Sequence, residues 1–149
     1  MAAMKARSDM KARSDTRDIL VPLSPGELLD KITILRIKVV RITDPAKVAN
    51  VRLELELLEQ TWRDAGCAAF DVAHDERALQ AVNERLWDVE DLIRDKEAKQ
   101  TFDREFIDLA RAVYVSNDER AAIKKRINVQ LGSRLVEEKS YKPYGPGPT

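Results

Sequence analysis

Only one cysteine, Cys67, and one histidine, His74, occur in the 149 residues. An internal disulfide is therefore excluded, and a zinc site made of thiolates would need more of them. A lone thiol is the economical composition for a reducing compartment, which points to the cytoplasm. Aromatic residues are scarce at 5%, and there is no net charge of either sign, because 26 basic residues meet 26 acidic ones. Without a global field or rings for stacking, neither nucleic acid nor a membrane surface is an expected partner. No apolar run approaches the roughly 18 residues needed to span a bilayer, and the N-terminus lacks the apolar stretch of a secretory leader. A glycine-rich phosphate loop and a Gly-x-Ser-x-Gly elbow are also missing, and Cys67 has no companion base, so nothing marks a nucleophile. No cofactor and no metal are implied.

What remains is a chain with 35% charged residues, whose apolar set is mostly Leu, Ile, Val and Ala. That mixture favours helices over sheets. The length suits one domain able to bury about two-thirds of its unfolded surface. Residues 4–9, Met-Lys-Ala-Arg-Ser-Asp, repeat identically as residues 10–15, and Met10 is an alternative translation start. Residues 1–18 read as a disordered extension, 19–141 as a single helical domain, and 142–149 as a disordered Pro/Gly tail.

The helices are punctuated clearly. Ser24 is suited to cap a helix, Pro25 fits the first turn, and Glu27 completes a capping box. Leu28, Ile32, Leu35, Val39 and Ile42 then recur with heptad spacing. Asp44-Pro45 repeats the cap-and-proline signal, and Val48, Val51, Leu55, Leu58 and Trp62 form a second coiled-coil-like seam. Helices over about 24–42 and 45–65, joined by so short a link, must fold back as an antiparallel hairpin. A third helix is expected over about 75–99, striped by Leu79, Val82, Leu86, Val89 and Ile93. Phe102, Phe106, Leu109 and Val113 extend it or begin another. Ser116 and Glu119 match a further capping box, opening a last helix that stops at Gly132. The fold class is all-α, a hairpin extended to a four- or five-helix bundle. Ile34, Ile37, Leu53 and Leu57 give the hairpin a second apolar face. Either a second copy covers it, making a homodimer, or the later helices do.

Polar residues intrude on this pattern at a few places. Asn83, Glu90 and Glu97 lie within about 40° of Leu79 at 100° per residue, so they border the core. Trp87 and Arg94 flank the same edge. Either they form a polar pocket, with Glu90 as base or ligand and Arg94 on an anion, or Glu90 simply pairs with Arg94 while Asn83 fixes register. Residues 117–134 carry five bases against two acids, and residues 75–99 eight acids against five bases. The two segments pair, or else Arg120 and Lys124 serve an anion at the last helix's N-terminus. Glu56, Glu59, Asp88 and Asp91 offer four carboxylates in a layout faintly similar to all-α nucleotide pyrophosphohydrolases, a spacing that charged helices often produce by chance. Arg36 falls inside an apolar arc, where its stem packs while the head snorkels to water; otherwise it needs a carboxylate, with Glu59 or Glu90 as candidates.

Several blocks, in order, carry a resemblance. The run from Ser24 to Leu35 (Ser-Pro-Gly-Glu-Leu-Leu-Asp-Lys-Ile-Thr-Ile-Leu) resembles the opening of a small bacterial family of unknown function. Leu86-Trp87 with Glu90-Asp91 is similar to its middle. Asn117 to Lys124 and Glu137 to Tyr141 resemble its end. The resemblance implies an all-helical fold without an established activity, and hints at a surface-polysaccharide context. Arg36 stands where that family usually has an acid. The matched blocks draw attention to Glu27, Asp30, Lys31 and Thr33 with Asn117, Asp118 and Arg120. The candidate ligand-binding residues are thus Asp30, Lys31, Asn83, Glu90, Arg94, Asn117, Asp118, Arg120 and Lys124. No catalytic residue is identifiable, which leans away from an enzyme. The leading expectation is a non-catalytic oligomeric interaction or scaffolding module, dimeric or docked on a partner protein. The alternative is a small all-α enzyme or binding protein for a phosphate- or carboxylate-bearing metabolite.

Overall fold

The computed structural model describes residues 17–145, and within them every regular element is helical. Helix α1 spans Pro25–Arg41, α2 Pro45–Asp64, α3 Ala73–Ala98 and α4 Arg104–Gln130, with a 3-10 turn at Cys67–Ala69. The expected 1–18 extension lies almost wholly outside the described residues, as do 146–149.

The two capped prolines act as the sequence suggests. Ser24 Oγ accepts from the Glu27 amide at 3.2 Å, and Asp44 Oδ1 accepts from the amides of Ala46 and Lys47 at 2.9 and 3.2 Å. Glu27 does not close a reciprocal box. Its carboxylate turns instead to Lys124, 2.6 Å away. Gly66, at φ 77°, takes the left-handed conformation that ends α2. Helices α1 and α2 form the expected hairpin, and α3 and α4 form a second one.

The last helix corrects the sequence reading. No cap opens at Ser116, and α4 runs unbroken for 27 residues from its N-cap Asp103, which accepts from the Phe106 amide at 3.0 Å. Ser116 is buried at mid-helix, where its hydroxyl accepts from Arg85 Nε at 3.1 Å. Glu119 pairs with the same arginine. The Ser-x-x-Glu pattern is therefore a clamp between α3 and α4, and Arg120 and Lys124 lie in the interior of α4, far from its own N-terminus. His74 lies in the first turn of α3.

Helix α1 is central, packing on all three others, whereas α2 rests mainly on α1. The core joins Leu29, Val72, Leu79, Val82, Leu86, Ile123 and Ile127, with Trp62 of α2 against it. Ile37 is buried and Ile34 half-buried on the side of α1 that faces α3 and α4, so the second face of α1 is largely covered within the chain. The outer face of α2 is not. Leu53 and Leu57 remain 60% and 53% exposed, and α2 has no buried residue. Beyond Val89 of α3 and before Ser116 of α4 no residue is buried, so the second hairpin extends past α1 as a thin two-helix arm. Phe102 and Phe106 meet edge-on near its tip.

After Gly132 the chain turns back along α4. Lys139 donates to the Asn117 carbonyl at 3.2 Å, and Tyr144 lies against Tyr114 with ring centroids 4.9 Å apart.

Candidate functional site

Two polar clusters share the junction of α1, α3 and α4. The first is closed. Gly26, in the first turn of α1, donates its N–H to Asn128 Oδ1 at 2.7 Å. A Cβ on Gly26 would lie 2.5 Å from the Lys124 carbonyl oxygen, so glycine is required for α1 to approach α4 this closely. Lys124, only 9% exposed in its side chain, sits among Glu27 at 2.6 Å, Glu137 at 3.4 Å and Asp30 at 3.8 Å. Burial alone would push its ammonium down. The hydrogen bond to Glu27 and the charges of Glu27, Asp30 and Glu137 outweigh that, so its pKa is raised above that of an ordinary lysine.

The second cluster is open. Asn83 Nδ2 donates to Asp30 Oδ1 at 2.8 Å and to Thr33 Oγ1 at 2.9 Å. Thr33 in turn donates to the Asp30 carbonyl at 2.8 Å. With both amide hydrogens spent, Asn83 presents its oxygen outward, where Arg120 Nη1 approaches to 3.4 Å. Here a groove of about 450 Å³ opens, lined by Ile34 and Ile37 of α1, Asn83, Leu86, Trp87, Glu90, Asp91 and Arg94 of α3, and Asn117 and Arg120 of α4. Glu90 and Arg94 pair across one helical turn, as their spacing suggests. Arg120 is half-buried, and no ion pair to it forms among the described residues.

The sequence candidates therefore separate. Asn83, Glu90, Arg94, Asn117 and Arg120 come together around the groove. Asp30 stands behind it, linking both clusters through Asn83 and Lys124. Lys124 belongs to the closed cluster and is already neutralised, which corrects the expectation that it serves an anion beside Arg120. Lys31 points to solvent. Asp118 faces a different cleft, with Tyr114, Lys125 and Tyr144. Burial first, then a hydrogen bond to Asp118, raises the Tyr144 phenol above its ordinary pKa.

Two further expectations are resolved by geometry. Arg36 does find Glu59, at 3.0 Å, and adds Glu76. The four carboxylates Glu56, Glu59, Asp88 and Asp91 do not converge, because Glu59 is held by Arg36 and Asp88 by Arg41. No group of acidic, histidine or cysteine side chains among the described residues is arranged to hold a metal. Asn128 and Glu137 carried no warning in the sequence as partners of α1, since their contacts depend on tertiary structure alone.

Fold and groove together define a small all-helical domain with one open polar site at a three-helix junction. The chain belongs to a family of unknown function (DUF6165), whose model matches residues 19–148. That span agrees with the resemblance seen in the separate blocks. No curated protein and no solved structure matches the chain. No helix is long and apolar enough to cross a membrane among the described residues.

Proposed function

We propose that this protein binds a small anionic metabolite in the groove between α1, α3 and α4, with Arg120 as the anchor for a carboxylate or phosphate. The observation that carries this reading is the state of Arg120. Among the described residues, this half-buried guanidinium with five donors has a single weak polar contact, the Asn83 oxygen at 3.4 Å. Elsewhere in the same junction every buried charge is matched, and an unmatched one beside an apolar floor is the usual sign of a place kept for a ligand. Binding rather than turnover is proposed, because the residues lining the groove include no nucleophile beside a base. A thermal-shift screen of carboxylated and phosphorylated metabolites, with and without magnesium, tests it. At least one compound should stabilise the protein and lose its effect in Arg120→Ala. Silence across the panel refutes the reading.

A second reading, an oligomeric interaction module, has support of its own in the outer face of the hairpin. Leu53 and Leu57 are more than half exposed, one helical turn apart, on a helix without a buried residue. A second copy is the partner proposed for this face. Light scattering coupled to size exclusion would give a dimer mass for the wild type and a monomer mass for Leu53→Glu with Leu57→Glu. A monomeric wild type ends this reading and leaves the groove untouched. A reducing, cytoplasmic setting is proposed on the ground that Cys67 is a buried thiol whose pKa is raised by burial, a structural rather than a reactive group. The surface-polysaccharide context rests on the resemblance alone.

A further inference from the structure

We propose that the ligand of the groove is a zwitterion, with a carboxylate held by Arg120 and an ammonium held several methylenes away between the face of Trp87 and the Asp91 carboxylate. This rests on the anion-binding reading above and specifies it. The argument begins with charge. Four charged residues line the groove, and Glu90 and Arg94 neutralise each other. Arg120 and Asp91 are left, and neither forms an ion pair among the described residues. The groove thus offers one open positive and one open negative group and is neutral as a whole. A phosphate dianion seated on Arg120 would leave excess negative charge beside Asp91 and Glu90. A ligand with one charge of each sign satisfies both open groups.

The positions of these groups set the shape of the ligand. Arg120 lies at the Asn83 end of the groove, 3.4 Å from the amide oxygen. Asp91 lies eight residues further along α3, about 12 Å by the rise of a helix, and Trp87 stands midway between them on the same side. An α-amino acid carries its two charges on one carbon and does not reach both ends. A longer ω-amino acid does, with its methylenes against Ile34, Ile37 and Leu86 and its ammonium beside the indole, where ring and carboxylate both attract a cation.

Calorimetric titration of the full chain with four probes tests this. ε-Aminocaproate carries both charges, caproate only the carboxylate, hexylamine only the ammonium, and glycine both on one carbon. ε-Aminocaproate should bind about tenfold more tightly than caproate or hexylamine, with glycine weaker still. Asp91→Asn, a change at an exposed position, should erase the advantage of ε-aminocaproate over caproate. Arg120→Ala should abolish binding of both acids. If caproate binds as tightly as ε-aminocaproate, or if Asp91→Asn leaves the preference intact, the zwitterion proposal is overturned and the anion site stands. If neither acid binds, or Arg120→Ala binds both as before, the anion site falls as well.

Discussion

Lys124 and Arg120 are one helical turn apart on α4 and face the same three-helix junction, yet their surroundings differ in kind. Lys124 is enclosed by three carboxylates drawn from α1 and the C-terminal segment. Arg120 meets one amide oxygen and an open groove. The same residue class on the same helix face thus meets two different environments. A buried cation whose partners are complete holds helices together. A half-buried cation whose partners are incomplete is free to exchange water for a ligand. Asp30 and Asn83 connect the two, so the closed cluster fixes the amide that positions Arg120.

The largest effect should come from breaking the closed side. Lys124→Met leaves Asp30, 7% exposed in its side chain, without its cation and faced by Glu27 and Glu137. Breaking a buried pair in this way costs about 3 kcal/mol, toward the lower end because the two glutamates keep partial contact with water. Urea unfolding measures it. Next comes Gly26→Ala. The obstacle to its methyl group is the backbone carbonyl of Lys124, which has no rotamer to escape into, so α1 must lift from α4 and stretch the Gly26–Asn128 hydrogen bond. A loss of about 2 kcal/mol is expected, the range of overpacking in a core. A loss well under 1 kcal/mol would mean that the two helices are not held this closely.

Alkaline pH should reproduce part of the first effect without mutation. The folded-state pKa of Lys124 is raised, so the stability it contributes is fully present below the unfolded lysine value of about 10.4 and is lost as pH climbs through the higher folded value. Unfolding free energy compared between about pH 9 and pH 11.5 should fall more steeply in the wild type than in Lys124→Met. Parallel profiles would show that the ammonium is not coupled to folding.

What could be read from the sequence divides along the same line between local and tertiary causes. The hairpin was legible because Ser24-Pro25 and Asp44-Pro45 act within one turn of chain, and the heptad seams need only helical period. Asn83, Glu90 and Arg94 were legible as a polar edge because angle alone places them beside the core. Ser116 misled because a capping box and a clamp to a neighbouring helix use the same three-residue spacing. Only the partner, Arg85 on α3, distinguishes them. Lys124 misled for a similar reason: its charge is visible in the sequence, but the carboxylates that neutralise it come from both ends of the domain. Gly26 stands in a matched block, yet the reason for it, a helix 102 residues away, has no local signature.

The smallest expected effect on stability decides most about the comparison. Arg120→Ala removes one long hydrogen bond and a charge without an ion-pair partner among the described residues, and it leaves Asp30, Thr33 and Asn83 bonded to one another. Stability should change by no more than about 0.5 kcal/mol, and relief of an uncompensated half-buried charge could make the variant slightly the more stable of the two. A loss as large as that of Lys124→Met would mean that Arg120 is a structural cation whose partner the groove conceals. The contrast on α4 would then disappear, and with it the ground for treating the groove as a site. A near-zero value, measured in the same urea series and joined to lost ligand response, would mean that this junction keeps one cation for the fold and the other for binding.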